Sequence, residues 1–430
     1  MIPIGAALGL TLAGAVLITG GLVSVAFAWL DFPDLAGKKP DLSALLEIIK
    51  ISLAIVAGIG GAVALVVAYR KQRLAEEENH RAREAAHRDA TRLFVERFDR
   101  ASDKLGSESA AVRLSAVHAL AALADDWSAN RQMCIDVLCA YLRMPSPPEP
   151  DQQSDLFAHA TWRAMREVQA TIIRLIAGHL RPGVSPSWCG HNFDFTGVIF
   201  DGDADFSSCQ FTGGVIDFTR AQFRCGDVAF RDALFAGSLV RFYQAGFTGA
   251  RVFFVGAQFS GGLVNFGEAK FTSGQVRFGP AEFTGTVVIM VEATFAGTAV
   301  GFDGMQLAEG SLVLWDAEFT GSTVVFDKAQ LSGGEIAFNG ARLTGGSLSF
   351  SDVEFAGVEV SFDKAEFAGC AVTFDGAKFT DGDIDLSSPK DWSHPPKDLP
   401  PQSDRLRLPP PTTQCAAHPT DVVGQKRSNL

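Results

Sequence analysis

From Phe206 to Leu386, phenylalanine and its apolar stand-ins recur every 12 residues in two interleaved series that no insertion breaks. One series runs through Phe206, Phe218, Phe230, Phe242, Phe254, Phe266, Phe278, Met290 and on to Leu386; the other runs through Phe211, Phe223, Phe235, Phe247, Phe259, Phe271, Phe283, Phe295 and on to Phe379. Self-similarity at a fixed period marks a repeat array, in which each unit packs on its neighbours. A globular enzyme domain does not repeat in this way.

The residue two before each Phe is small or β-branched, as in Ala221, Val228, Ala233, Val240, Ala245 and Val252. The residue between varies freely, as in Gln222, Arg241, Lys270, Glu282, Glu318 and Glu366. Positions i−2 and i therefore share one side of the backbone and i−1 faces the other, the period-two pattern of a short strand. Gaps between successive Phe positions alternate between 5 and 7 residues, and the longer gap carries glycine, from Gly213 and Gly226 to Gly369 and Gly382. Glycine adopts positive φ without steric penalty, so these positions read as the corners of a β-helix.

A 12-residue coil would have two short sides and would stack Glu354 on Glu366, about 4.8 Å away, where like charges repel. A 24-residue coil has four faces and room for the rings. It sets Glu318, Arg342 and Glu366 in a ladder of alternating sign and brings Glu354 to Lys378. The expectation is 24 residues per coil, about seven and a half coils and a length near 36 Å at roughly 4.8 Å per layer. Coordinates should show Phe254 stacked on Phe278; Phe254 stacked on Phe266 would contradict the reading.

The alternation of Ala, a polar residue and Phe or Leu resembles the pentapeptide-repeat family, at Ala221, Ala233, Ala245, Ala257, Ala269, Ala281, Ala293, Ala317, Ala329, Ala341, Ala365 and Ala377 and the ring two residues on. The resemblance implies a right-handed β-helix of four units per coil. This chain departs from the family pattern by two extra residues per pair of units and by Val at alternate i−2 positions. Upstream, "RFDRASDKLGSESAAVRLSAVHALAALADD" resembles a segment that precedes such repeats in actinobacterial membrane proteins.

The N-terminal part differs in kind. Residues 2–30 and 51–69 are free of charge, and each exceeds the roughly 18 apolar residues that cross a bilayer, so residues 1–70 read as a transmembrane hairpin. Arg70, Lys71, Arg73, Arg81, Arg83 and Arg88 follow the second span, whereas the loop between the spans offers Lys38 and Lys39 among aspartates. The positive-inside rule then places both ends in the cytoplasm. Residues 71–153 read as a charged stalk helix and a HEAT-like helix pair, with Val112, Ala116, Ala119, Leu120 and Leu123 on one inward face and Met133, Val137, Leu138, Tyr141 and Leu142 on the other. Residues 154–192 read as a helix that covers the first coil, 193–388 as the β-helix, and 389–430, with 9 of the 19 prolines, as a disordered tail.

Charge and chemistry bound the function. The net charge is −12, and Glu282 to Asp385 alone holds 17 acidic and 4 basic residues. That surface lacks the basic footprint direct nucleic-acid binding requires. The seven cysteines form no C-x-x-C pair and read as free thiols. Asp201, Asp203 and Asp205 alternate along one strand face, without ligands at the other angles Ca²⁺ requires. His118 and Cys134 read as buried helix residues, and His191 beside Cys189 as part of the cap junction. No catalytic, cofactor-binding or metal residue is assigned and no cofactor is expected.

The expected function is a non-catalytic scaffold at the cell membrane, held by the bilayer through residues 2–30 and 51–69, with its acidic solenoid offered to a protein partner. A second reading, implied by the resemblance, is an acidic DNA mimic that binds a topoisomerase or another nucleic-acid-binding protein. The last coil, with no visible cap helix, leaves a homodimer through that end open.

Overall fold

The computed structural model describes scattered helical positions between 13 and 28, then residues 42–145, 149–151, 156–399 and 405–410. The chain divides into two units, Met1–Leu93 and Phe94–Leu430. In the first, helix α1 (Leu42–Leu105) carries the apolar run of residues 51–69, whose Leu53 and Leu65 are 70% and 73% exposed. Among the described residues this is the one helix long and apolar enough to cross a membrane. The span expected over residues 2–30 lies largely outside the described residues.

In the second unit, the end of α1 meets a helical bundle. Phe94 stacks on Trp127 at 5.5 Å, and Arg97 pairs with Asp126 at 3.0 Å. Helices α2 (Ala110–Asp126), α3 (Arg131–Arg143) and α4 (Leu156–Leu180) each turn one apolar stripe inward, as helical periodicity requires. The stripe of α2 is rotated from the expected one: Val117, Ala121 and Ala124 are buried beside Ala116, Leu120 and Leu123, while Val112 and Ala119 face solvent. His118, expected inside, is exposed for the same reason, whereas Cys134 is fully buried as read.

The solenoid follows, as two 14-stranded parallel sheets wound into about 9 turns of about 24 residues each. Strand registers fix the period: Phe247 pairs with Phe271, Phe271 with Phe295, and Phe295 with Phe319. Phe254 lies 4.8 Å from Phe278, 5° from parallel, but meets Phe266 edge-on at 6.2 Å and 89°. The 24-residue coil is thus confirmed. Four interior columns result, and the short residue two before each ring, such as Ala257 or Val252, is buried beside it.

The count exceeds the expected seven and a half because the solenoid begins earlier and ends later than the strict repeat. Phe195 stacks on Phe218 at 4.9 Å and Phe200 on Phe223 at 4.8 Å, a spacing one residue short of the period that hides this first turn from a 12-residue index. At the other end, Ile384 pairs with Leu406, and bridges join Glu366 to Asp391 and Thr373 to Lys397. The expectation of disorder from residue 389 onward is therefore corrected for 389–399 and 405–410; residues 400–404 and 411–430 lie outside the described residues. Trp392 meets the edge of Phe367 at 5.3 Å, and Leu399, Leu406 and Leu408 pack on the core. These residues lie on the final coil, whose edge the homodimer reading invoked.

Corners also differ from the glycine reading. Gly213, Gly237 and Gly261 do take positive φ, yet strands such as Gly246–Phe253 run on through Gly249 with a register shift at Thr248. The tight corners lie in the five-residue gaps. There the Phe218 carbonyl accepts from the Ala221 N–H at 2.9 Å, and the residue between, Arg220, has φ 58°. This is a turn that requires positive φ at its third position. Ser208, Asp232, Gln244, Glu268, Glu292, Asp316, Lys328, Asp352 and Lys364 repeat it with φ of 55–59°. Each such residue costs about 1–2 kcal/mol in isolation, which the packed neighbours above and below offset.

The first turn is covered as expected, by α4, with help from α3. Val168, Ile172, Ile176, Ala177 and Leu180 are buried, and the Cys209 thiol donates to the Ala177 carbonyl at 3.5 Å. From α3, Arg143 pairs with Asp194 on the first strand, and Gln132 donates to the Asn192 carbonyl at 2.8 Å. Burial raises the Asp194 carboxyl, but hydrogen bonds from Thr196 and the Arg143 guanidinium outweigh it and hold the group below the ordinary aspartate range.

The interior column should be sensitive to volume and the exterior tolerant. Phe278 lies between Phe254 and Phe302, 4.8 Å from each. Phe278→Ala should cost about 3–5 kcal/mol. Glu318→Ala, which loses a half-exposed ion pair with Arg342, should cost below about 1 kcal/mol in denaturant unfolding of the full chain. Equal effects would mean that inside and outside are misassigned.

Candidate interaction surface

Outward positions repeat at 24 residues just as the rings do, so each exterior column is a ladder of side chains about 4.8 Å apart. Opposite charges occupy many successive rungs. Asp217 pairs with Arg241 at 3.1 Å, Asp227 with Arg251 at 2.6 Å, Glu318 with Arg342, Glu366 with Lys390 and Asp381 with Arg405. The expected register of Glu318, Arg342 and Glu366 is present, as is that of Glu354 with Lys378. These half-exposed pairs add little stability each, but they remove the repulsion that like rungs would create.

The residues singled out for possible chemistry fall into structural roles. The Asp201 carbonyl accepts from Arg166, the Asp203 carboxylate from the Asp227 N–H at 2.9 Å, and the Asp205 carboxylate from Arg181 at 3.2 Å. These three aspartates do not converge. Among the described residues no group of three or more His, Cys, Asp and Glu side chains is gathered for a metal ion. His191 contacts the Trp188 and Cys189 carbonyls at 3.2 and 3.3 Å, within the junction, and the Cys189 thiol donates to the Gln210 carbonyl at 3.1 Å and so ties the junction to the solenoid.

Four of the thiols are unsuited to nucleophilic work. Burial pushes Cys134 and Cys370 up to about 11 and Cys139 and Cys209 up to about 12, so all four stay protonated at neutral pH. One cluster escaped the sequence reading. His179 stacks on the buried Trp188 at 4.1 Å, and Asp125 receives the Trp188 indole N–H at 2.9 Å with His179 Nε2 3.2 Å away. These groups lie 54 and 63 residues apart from Asp125, so no local motif announces them. A separate open cleft, on the N-terminal half of α4, is lined by Trp162, Arg163, Arg166 and Asp203, with the Arg166 guanidinium 4.9 Å from the Trp162 ring.

The surface thus consists of flat parallel sheets with charge set rung by rung. A sequence profile described as Pentapeptide repeats matches the chain in 9 copies, at residues 195–246. Comparison with curated proteins and with solved structures gives no significant match. The profile match and the four-column solenoid with its small residue two before each ring agree, and together they support a pentapeptide-repeat protein.

Proposed function

We propose that the chain is a non-catalytic scaffold anchored in the cell membrane, with both ends in the cytoplasm and the solenoid offering its sheets to a protein partner. The observation that carries the reading is the pairing of two features. One is the apolar run of α1, whose side chains such as Leu53 and Leu65 are largely exposed among the described residues. The other is a solenoid that spends its interior on stacked rings and leaves its regular exterior free for contacts. The basic residues after the apolar run, Arg70, Lys71 and Arg73, support the cytoplasmic orientation.

The second reading, mimicry of a polyanion toward a topoisomerase or another nucleic-acid-binding protein, draws on the 17 acidic against 4 basic residues from Glu282 to Asp385. Ion-paired rungs such as Glu318–Arg342 and Glu366–Lys390 interrupt the acidic rows, which favours the general scaffold.

Two experiments test the proposal. The full chain should remain in the membrane fraction after alkaline carbonate, and a reporter fused after Gln425 should be active only if of a cytoplasmic type; release into the soluble fraction or activity of a periplasmic-type reporter would contradict it. Capture with the detergent-solubilised full chain should retain a defined partner. Selective retention of gyrase subunits at low salt, lost at high salt, would favour mimicry instead.

A further inference from the structure

One exterior face breaks the rule that outward positions are polar. Leu239, Leu263 and Val287 are direct register partners in one outward column. In the next, Ile289 pairs with Val313 and Val313 with Ala337. Val291 and Trp315 extend the patch by one more column, where the Glu292 N–H donates to the Trp315 carbonyl at 2.9 Å. Trp315 is 45% exposed, and among the described solenoid residues no other large hydrophobic side chain is so open to solvent. Nothing in the fold needs these residues outside, because the rings and their small neighbours already fill the interior.

Two stretches of like charge rim this patch. Along the adjacent corner column the residues are Arg220, Gln244, Glu268, Glu292, Asp316, Gly340 and Lys364. Arg220 and Gln244 are satisfied in sequence: Arg220 donates to Gln244 at 3.0 Å and Gln244 to Glu268 at 2.9 Å. Then three carboxylates, Glu268, Glu292 and Asp316, follow one another with a glycine as the next rung. A second row of like charge, Glu335 with Glu359 and Glu359 with Asp383, continues the column of Leu239, Leu263 and Val287. Like charges on adjacent strands destabilise a sheet, and pairs such as Asp217–Arg241 and Asp227–Arg251 show how this chain avoids them elsewhere. Arg407 reaches Asp383 at 3.7 Å at the far end of the second row, and the like-charged stretches Glu292 with Asp316 and Glu335 with Glu359 border this apolar patch.

We propose that this face, centred on Ile289 and Trp315, docks a cationic amphipathic segment of a partner protein. This rests on the scaffold reading and names its surface and partner class. The partner's apolar side covers the exposed indole and the aliphatic columns, and its Lys or Arg side chains neutralise Glu292 and Asp316 on one border and Glu335 and Glu359 on the other. An apolar centre with a charged rim is the usual anatomy of such an interface, and a half-exposed Trp is a typical anchor. The same carboxylates repel nucleic acid and anionic lipid headgroups.

The test uses the full chain in detergent and a labelled Leu/Lys peptide of about 18 residues with its leucines on one helical stripe. A peptide of the same composition in scrambled order serves as control. Fluorescence anisotropy should show binding of the amphipathic peptide over the scrambled one. Trp315→Ala and Glu292→Lys should each weaken it by about tenfold, and Thr320→Lys, at an exposed position on the other sheet, should leave it unchanged. Because the substituted side chains lie outside the core, unchanged circular dichroism should accompany the loss. Equal binding by all variants, or no preference for the amphipathic peptide, would overturn the docking face. Either result would leave the scaffold reading standing, since that reading is decided by the fractionation and capture experiments on the unmodified chain.

Discussion

Each interior ring rests on an equivalent ring one turn away, and this stacking sets nearly everything else about the solenoid. Phe242 lies 4.6 Å from Phe266 and 3° from parallel; Phe259 lies 4.7 Å from Phe283 at the same angle. Between columns the rings meet edge to face, as Phe254 and Phe266 do at 89°. A quadrupolar ring favours both arrangements over a random one. With four rings per layer, the perimeter cannot close in 12 residues, so the coil takes 24. Where a ring is replaced, by Met290 or Leu314, the column stays fully buried and the register holds.

Once the interior register is fixed, the exterior follows without further choice. Residues 24 apart become neighbours, so Glu318 must meet Arg342 and Glu354 must meet Lys378. The same constraint explains the corners. Ten of the eleven described non-glycine residues with positive φ lie at these corners, where the stacked turns hold the backbone, and each of the ten corners is closed by a hydrogen bond such as Ala245 N–H to the Phe242 carbonyl at 3.0 Å. Local preference yields to the array. The function proposed for the chain lives on the outward columns, whose composition the core leaves free to vary.

What the sequence revealed follows from periodicity. The rings, the small residue two before each and the charge ladders all repeat at 12 or 24, and they were legible from Phe206 to Phe379. The first turn fell inside the expected bounds of 193–388 but outside the count of turns because Phe200 to Phe223 is one residue short, and the last was missed because Trp392, Leu399 and Leu406 stand in for the repeat without its spacing. The tight corners were missed because residues such as Arg220 and Lys328 carry no sequence mark of positive φ, while glycine drew attention to the longer gaps. His118 was misplaced because α2 is rotated toward Val117 and Ala121, a matter of how three helices pack and not of one helix's pattern. The Asp125, His179 and Trp188 cluster needs that packing too. The apolar exterior face emerges only once residues 24 apart are known to be neighbours.

The claim on which the whole account rests is the 24-residue turn, and pairwise cross-linking tests it directly. Thr320 and Thr344 are exposed, and their hydroxyls lie 3.3 Å apart on adjacent turns. Ser332 falls midway between them in sequence but on the opposite sheet. Neighbouring strands bring Cα atoms within the roughly 4.4–6.8 Å that a disulfide spans, whereas opposite sheets do not. In the full chain, cysteines at 320 and 344 should therefore oxidise rapidly to an intramolecular disulfide, seen as the loss of two hydrogens in one peptide pair by mass spectrometry. Cysteines at 320 and 332 should stay reduced. Efficient cross-linking of 320 to 332, with none between 320 and 344, would contradict the coil and everything built on it.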